Sequence, residues 1–399
     1  MNILVVDTIH GGREISRHLL FQGYAVDTVD VYRNEGSITV AEALTRRYDI
    51  VAAPVHLNPD HPLMHMKTEY RTHHQMIPFC LGKTRPHLSV EITGARGKTT
   101  TAHALASVLP GTGVLLSSIG ITEFPSRNNA GKKSITPAST IHAAKLAVAS
   151  GGWLVAEQSL GVSGIGDLGI LTSAEDYLCA GGKKHAYDIK KEMLLSCKKI
   201  LAAPGIAWMN DRVIHAEDIV SCKGTVCSWA YNGEEGSFTN NLLVLPAYQN
   251  AIQTAAAAAC ILGYRPDPLS EFTALPGRLQ VKRNGSSVII DDANSGTSQQ
   301  TATEAVRYAR TILPTSPLIL VIGAEADNIC EGFSLADIKQ VIDTTNPDSV
   351  ILVGDTYPDD AESCLSHPCV HVSSLTEGEQ YANTISDTGV IVLAVKTWR

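Results

Sequence analysis

The chain has 399 residues, enough for two or three domains, and 44% of them are hydrophobic, an ordinary share for a soluble globular protein. A formal net charge of -8 speaks against nucleic acid and acidic membrane surfaces as partners, and no apolar run approaches the length of a membrane span. The nine cysteines are scattered, odd in number and without a Cys-x-x-Cys pair, which excludes a zinc ribbon or disulfide framework as the expectation and favours reduced thiols in the cytoplasm.

The first block, roughly residues 1–86, starts as a buried strand ending in Asp7 and lacks the basic start and long apolar core of a secretory leader. Strands are predicted at 3–6, 24–29 and 50–53. Gly11-Gly12 opens a predicted helix over 13–21, with Ile15, Leu19 and Leu20 at helical spacing. That order makes a small Rossmann-like unit. It carries no Gly-x-Gly-x-x-Gly, which argues against a dinucleotide oxidoreductase. The run 56–74, with Pro54, Pro59, Pro62 and Pro78 in or around it, is predicted to be a loop over a ligand crevice. Its histidines, His56, His61, His65, His73 and His74, are candidate ligand contacts, although loop histidines without such a role are commoner. Lys67 and Arg71 either pair with substrate carboxylates or are simply solvated.

The second block, roughly 87–275, opens with Val90-Glu91-Ile92-Thr93-Gly94-Ala95-Arg96-Gly97-Lys98-Thr99-Thr100-Thr101 and an alanine-rich helix. Strand, glycine turn and helix are the layout of a phosphate-binding loop. The glycines let backbone N–H groups turn toward phosphate oxygens, and the helix N-terminus adds partial positive charge. Lys98 would reach the outer phosphates and the Thr99 hydroxyl would ligate Mg²⁺, which points to ATP. Ile92 stands where a full Walker A loop has glycine, so by pattern alone a chance Gly-Lys-Thr turn without nucleotide stays open beside a shorter Thr-Gly-x-x-Gly-Lys-Thr form of the loop. Strands are predicted at 113–117, 153–156, 168–172 and 206–209, and helices over 140–150, 186–197 and 249–262, giving a mostly parallel sheet covered on both faces. Polar groups follow several elements: Glu157, which could hold Mg²⁺ or be a solvated strand end, Glu175 and Asp176, Asn210 and Asp211, and Asn250. A surface charge face accounts equally well for Lys190 and Lys191.

The third block, roughly 276–399, follows a Pro276-Gly277 hinge. Strands at 287–290, 318–322, 349–353, 369–372 and 390–395 alternate with helices at 301–312, 335–344 and 377–385, a second doubly wound unit. Arg278, the segment Asp291-Asp292-Ala293-Asn294, Glu325 and Asp327 lie at its element ends.

This ordered series resembles the Mur ligases, ATP-dependent enzymes that build peptidoglycan stems and related amides. The resemblance runs from about Ile92 to the C-terminus and covers the first block only in general shape. It implies an α/β, three-domain Mur-ligase-like architecture: a Rossmann-like substrate-binding domain (1–86), a central P-loop ATPase domain (87–275) and a Rossmann-like ligase domain (276–399). It assigns Thr93, Gly94, Arg96, Gly97, Lys98, Thr99 and Thr100 to the phosphate loop, Thr136 to a Thr-Thr-Pro stretch, and Glu157 to magnesium. Lys191, four after Tyr187, matches the lysine that some members carbamylate to hold a second Mg²⁺. Asn210, Asp211, Asn250 and Arg278 match nucleotide contacts, and Asp291 and Asn294 match a segment near the ribose and base. The implied catalytic set is Lys98, Glu157, Lys191, Glu175 and Asp176.

The departures narrow the resemblance. Glu175-Asp176-Tyr177-Leu178 replaces Asp-His-Leu-Asp, and Asn294 replaces a histidine. The region 326–332 lacks the basic group that would hold a free amino acid's carboxylate, which argues against peptide formation. Together with Asp7-Thr8-Ile9-His10-Gly11-Gly12 and Cys330-Glu331-Gly332, these departures resemble a divergent branch of the family in methanogenic archaea. That branch implies ATP and Mg²⁺ as cofactors and a nickel tetrapyrrole as the small-molecule substrate, with nickel only inside the substrate. A propionate is activated as acyl phosphate and the ring closes on carbon. His10, Gly11, Gly12, Thr136, His56 and Glu331 would then face the substrate, and His10, Glu175 and Asp176 are candidates for the base. The rival readings are an amide-forming Mur-type ligase and an ATP-binding switch without ligase chemistry.

Overall fold

A computed structural model describes residues 1–32, 36–285, 287–325, 333–355, 357, 365, 367–385 and 388–398. The chain forms two compact units, Met1–Phe272 and Thr273–Arg399. Among the described residues no helix is long and apolar enough to cross a membrane.

The first unit begins with β1 (Asn2–Val6), α1 (Arg13–Phe21), β2 (Ala25–Val29), α2 (Val40–Thr45), β3 (Ile50–Ala53), β4 (Glu69–Thr72) and α3 (His73–Leu81). Its strands make a parallel sheet in the order β2-β1-β3-β4. The segment 56–74, expected as a loop, is structured in part: a 3-10 turn at Pro62–His65, then β4, then the start of α3, with 56–61 and 66–68 remaining loop. The prolines mask a Thr72-x-x-Gln75 capping box, whose side chain and backbone bonds start α3 at His73.

A second, eight-stranded sheet follows. Its elements are β5 (Ser89–Thr93), α4 (Lys98–Val108), β6 (Gly113–Ser117), β7 (Gly120–Phe124), β8 (Asn128–Gly131), α5 (Pro137–Ala149), β9 (Trp153–Glu157) and β10 (Leu168–Leu171). A two-stranded ribbon, β11 (Leu178–Cys179) and β12 (Lys184–His185), leads into α6 (Ala186–Leu194), β13 (Lys199–Ala202) and β14 (Val213–His215). The sheet order is β14-β13-β10-β5-β9-β6-β7-β8, parallel except where β7 and β8 extend it as an antiparallel edge. The strand expected at 206–209 does not form. Ile206 and Trp208 are buried in alternation and pack on Leu194 and Cys197, so the apolar period is real, but the segment joins no ladder. A meander of β15 (Val220–Lys223), β16 (Val226–Tyr231) and β17 (Glu234–Thr239), which no sequence expectation covered, precedes α7 (Pro246–Ile261), the alanine helix that packs on α4.

The two sheets share one apolar core. Ile3, Val5, Ile15, Leu19, Met76 and Ile77 from the small sheet's side meet Ile141, Ala144, Leu116 and Leu154 from the central sheet's side. Ala143, Ala144 and Ala147 keep α5 thin enough for α3 to lie against it.

The second unit contains β18 (Gln280–Asn284), β19 (Ser287–Asp291), α8 (Gln299–Ile312), β20 (Leu318–Ala324), α9 (Leu335–Thr345), β21 (Ser349–Val353), β22 (Cys369–Val372), α10 (Leu375–Ile385) and β23 (Val390–Lys396). The order is β18-β19-β23-β20-β21-β22, parallel but for the β18 edge. α8 and α9 pack together, while α10 contributes Leu375 and Ala382 to the core over β20 and β21.

Candidate active site

β5 is buried along its whole length and delivers the chain into the turn Gly94–Gly97 at the centre of the large sheet. Strands diverge to either side of β5, so its C-terminal end lies at a topological switch point, where α/β sheets bind ligands. Gly94 has φ +152, and a Cβ there would stand 2.1 Å from Thr172 Oγ1. Gly97, at φ +80, is the left-handed residue that starts α4, and no side chain caps that helix N-terminus. The turn is pinned from β10: Thr172 Oγ1 donates to Arg96 O at 2.5 Å, and Ser173 Oγ accepts from the N–H groups of Ala95 and Arg96 at 2.8 and 3.1 Å. The Lys98 ammonium curls over the turn and donates to Gly94 O and Ala95 O at 3.1 and 3.2 Å.

Beside the turn, three oxygen groups converge. Thr99 Oγ1 donates to Glu157 Oε2 at 2.9 Å and lies 3.0 Å from Ser118 Oγ, and the Ser118 N–H donates to the same Oε2 at 2.9 Å. Glu157 is buried. Two hydroxyls and a carboxylate are hard oxygen donors, the set a Mg²⁺ ion takes. Ser118 was missed from sequence, although it directly follows the predicted strand 113–117 as Glu157 follows 153–156.

A buried carboxylate one strand-length behind holds this region in shape. Glu91, in β5, accepts from Gln158 Nε2 at 2.5 Å, from the N–H groups of Ser163, Gly164 and Gly166 at 3.0, 2.8 and 3.0 Å, and from Ser163 Oγ. The loop that follows Glu157 is thereby tied to the strand that precedes the phosphate turn.

The two neighbouring lysines of α6 have different surroundings. Lys191, the expected carbamylation candidate, turns away from the turn. Its ammonium lies over the rings of Tyr187 and Trp208 and 3.7 Å from Asp188. Lys190, one residue earlier on α6, is buried, with its ammonium 4.7 Å from the Tyr177 ring centroid and no hydrogen-bond partner among the described residues. Burial, and then the like charge of Lys98, push its pKa from 10.5 to about 8.

Glu175 and Asp176 are poorly suited to be the base. Burial pushes Glu175 up, but bonds from Arg96 and Ser173 outweigh it and hold the carboxyl low. The Tyr187 N–H, at 2.9 Å, and His185 hold Asp176 low, where it anchors the start of α6. Both stay ionised and weakly basic near neutrality.

Asn210 is exposed and accepts from the Arg212 N–H at 2.9 Å; Asp211 and Asn250 are also exposed. In the second unit, Asn294 Nδ2 donates to Gly277 O at 2.7 Å, and the buried Asp291 accepts from Lys282 Nζ at 2.7 Å. Half-buried Arg278 lowers the pKa of Asp292, yet burial dominates and pushes that carboxyl up to about 8. Glu331, with Asp327 and Cys330, lies outside the described residues.

At the small sheet, the turn His10-Gly11-Gly12 docks on the start of α5. A Cβ on Gly11 (φ +98) would stand 2.8 Å from Ala138 Cβ and 3.2 Å from Thr136 Oγ1. His56 meets His10 edge to face, with ring centroids 4.7 Å apart. His73 and His74 are buried and bonded to Val6 O and Ser159 O, both at 2.9 Å, and burial pushes each down to about 4, so they are neutral structural groups. His61 caps its own 3-10 turn, and Arg71 pairs with Glu69. Of the five histidines in the run, His56 is the one whose ring packs against the His10 ring, while His73 bonds the His10 backbone.

A P-loop turn and an oxygen cluster on a large mixed sheet, with a small parallel sheet before and a doubly wound unit after, define a Mur-ligase-like fold. The chain superposes on UDP-N-acetylmuramate-alanine ligase of Thermotoga maritima with TM-score 0.55 and 14% identity, covering 99% of this chain and 95% of that one. The bifunctional folylpolyglutamate synthase/dihydrofolate synthase of Yersinia pestis, solved with AMPPNP and Mn, gives TM-score 0.60 at 15% identity over 84% of this chain and 93% of that one. Residues 281–397 match the coenzyme F430 synthetase CfbE C-terminal domain. Over an alignment 472 positions long the chain is 29% identical to coenzyme F(430) synthetase of Methanosarcina acetivorans, covering 100% of this chain and 98% of that protein.

Proposed function

We propose that the chain is an ATP-dependent ligase that activates a substrate carboxylate as its acyl phosphate. Within that class we assign it as a coenzyme F430 synthetase, which closes the carbocyclic ring of the nickel tetrapyrrole seco-F430 acid with release of ADP and phosphate. The observation that carries the ligase chemistry is the convergence of Thr99, Ser118 and Glu157 beside the Gly94–Lys98 turn. The whole-length likeness to the Methanosarcina enzyme supports the substrate.

Phosphoryl transfer needs positioning and charge neutralisation more than covalent help. The N–H groups at the α4 N-terminus receive phosphate oxygens, and Lys98 exchanges its loop carbonyls for the outer phosphates. Thr99, Ser118 and Glu157 would hold Mg²⁺, which when bound offsets the phosphate charge. Lys190 takes the place expected of Lys191: its lowered pKa leaves a fraction of neutral amine, which can add CO₂ as a carbamate with loss of a proton. His10, Gly11, Gly12, His56 and Thr136 form the substrate-facing edge.

The test is ADP release with Mg²⁺, ATP and nickel seco-F430 acid, followed together with the macrocycle's absorbance and with no amine present. Coupled ADP release and a spectral change are expected. Turnover only with a carboxylate plus an amine would keep the ligase chemistry and discard the tetrapyrrole. ATP binding with no carboxylate-dependent phosphate release would leave a switch protein.

A further inference from the structure

We propose that Asp7, His10 and His56 form a binding site for a free late first-row divalent cation, of the Zn²⁺, Co²⁺ or Ni²⁺ class, separate from the oxygen site at Glu157. The topology places the three together. In the order β2-β1-β3-β4 the chain leaves β1 toward one side for β2 and toward the other for β3, so the crevice at the C-terminal ends of β1 and β3 is the small sheet's own switch point. Asp7 directly follows β1, His10 sits in the turn after it, and His56 lies just past β3. One ligand atom from each residue lies within 4.8 Å of the other two.

The donors and their supports fit a metal. Two imidazoles and one carboxylate form a borderline donor set that favours zinc-like ions over Mg²⁺ or Ca²⁺. Asp7 is fully buried, and its Oδ1 accepts the Ile9 N–H at 2.8 Å, so its orientation is fixed by a bond that leaves Oδ2 turned to His10 Nδ1 at 2.5 Å. Such outer bonds are what aim a ligating carboxylate. Asp7 also holds φ +71, a costly conformation for a non-glycine residue that clusters at ligand sites. The His10 side chain is 37% exposed, so an ion held there is reachable and keeps open positions for water or a substrate oxygen. A nickel inside a macrocycle can accept only axial donors from one side, so a three-donor cluster suits a free ion.

The experiment uses the full chain, freed of metal with a chelator and then titrated with Co²⁺ alone, without nucleotide, by equilibrium dialysis and visible absorbance. One Co²⁺ per chain is expected, displaced by Zn²⁺ and not by excess Mg²⁺. His10→Ala and His56→Ala should each weaken it at least about tenfold, as loss of metal-site groups does, while Glu157→Gln should not. If His10→Ala fails to fold, His56→Ala alone decides, because the His56 ring is outside the hydrogen bonds of the Asp7 turn. No bound Co²⁺, or Co²⁺ held equally by both histidine variants, would overturn the site and leave Asp7 and His10 as a hydrogen-bonded pair.

Discussion

Replacing Lys190 with methionine should stabilise the folded protein at neutral pH while stopping turnover. Lys190 is 1% exposed, and burial outweighs what favours its ammonium, the Tyr177 ring face and the charges of Asp176 and Glu175. The fall of its pKa from 10.5 to about 8, at about 1.4 kcal/mol per pH unit, means that the charged side chain costs the fold about 3 kcal/mol at neutral pH. Methionine fills similar space without charge and forfeits a cation–π contact worth about 1 kcal/mol, so the net gain is about 2 kcal/mol. The sign with pH follows from linkage. The folded-state pKa lies below the unfolded one, so between about 8 and 10.5 the unfolded chain holds a proton that the folded chain has released, and wild-type stability rises with pH across that window. The variant should lack that rise. Urea unfolding at neutral pH and again above the folded-state pKa, alongside ADP release, measures both effects, with Lys191→Met as the control that changes little. A Lys190→Met protein less stable than wild type at neutral pH, or fully active, would refute the reasoning.

Three other outcomes are expected. Glu157→Gln should raise the Mg²⁺ concentration needed for ADP release by roughly tenfold or more; an unchanged Mg²⁺ titration removes Glu157 from the metal site. Glu91→Ala strands several buried donors and should cost about 3–5 kcal/mol in urea unfolding, as removing one partner of a buried charged network does; a loss near zero would show that the loop holds without it. Asp292, pushed up to about 8, keeps its proton in the fold while the unfolded chain releases one from about 3.8 upward, so stability should fall as pH rises through that range. Thermal melts of Asp292→Asn should lack this fall, and a slope equal to wild type would clear Asp292 of it.

Much of the fold could be read from apolar runs. The segments 318–322 and 390–395 are continuous buried strands, and the α1 spacing of Ile15 and Leu19 matches its buried face. The site was legible where chemistry is local, as in the Gly94–Thr99 turn. It was not legible where partners come from distant strands: Ser118 matters because β6 lies beside β9, and Glu91 because 158–166 folds back over β5. Lys190 and Lys191 differ by about 100° around a helix, and only the positions of Tyr177 and Lys98 choose between them. The meander left a signal that was there to read, Asn232-Gly233 with both residues at positive φ between β16 and β17.

The apolar core shared by the two sheets bears on how such a protein can be re-engineered. Exchanging the first eighty or so residues for those of a relative with another substrate would expose or overfill the α3–α5 seam, because Met76 and Ile77 share one buried core with Ala144 and Ile141. A chimera cut there must carry the matching face of α5 with it. On the function proposed above, changing what the protein accepts becomes a matter of strand-end residues such as His10 and His56 rather than of swapping a cassette.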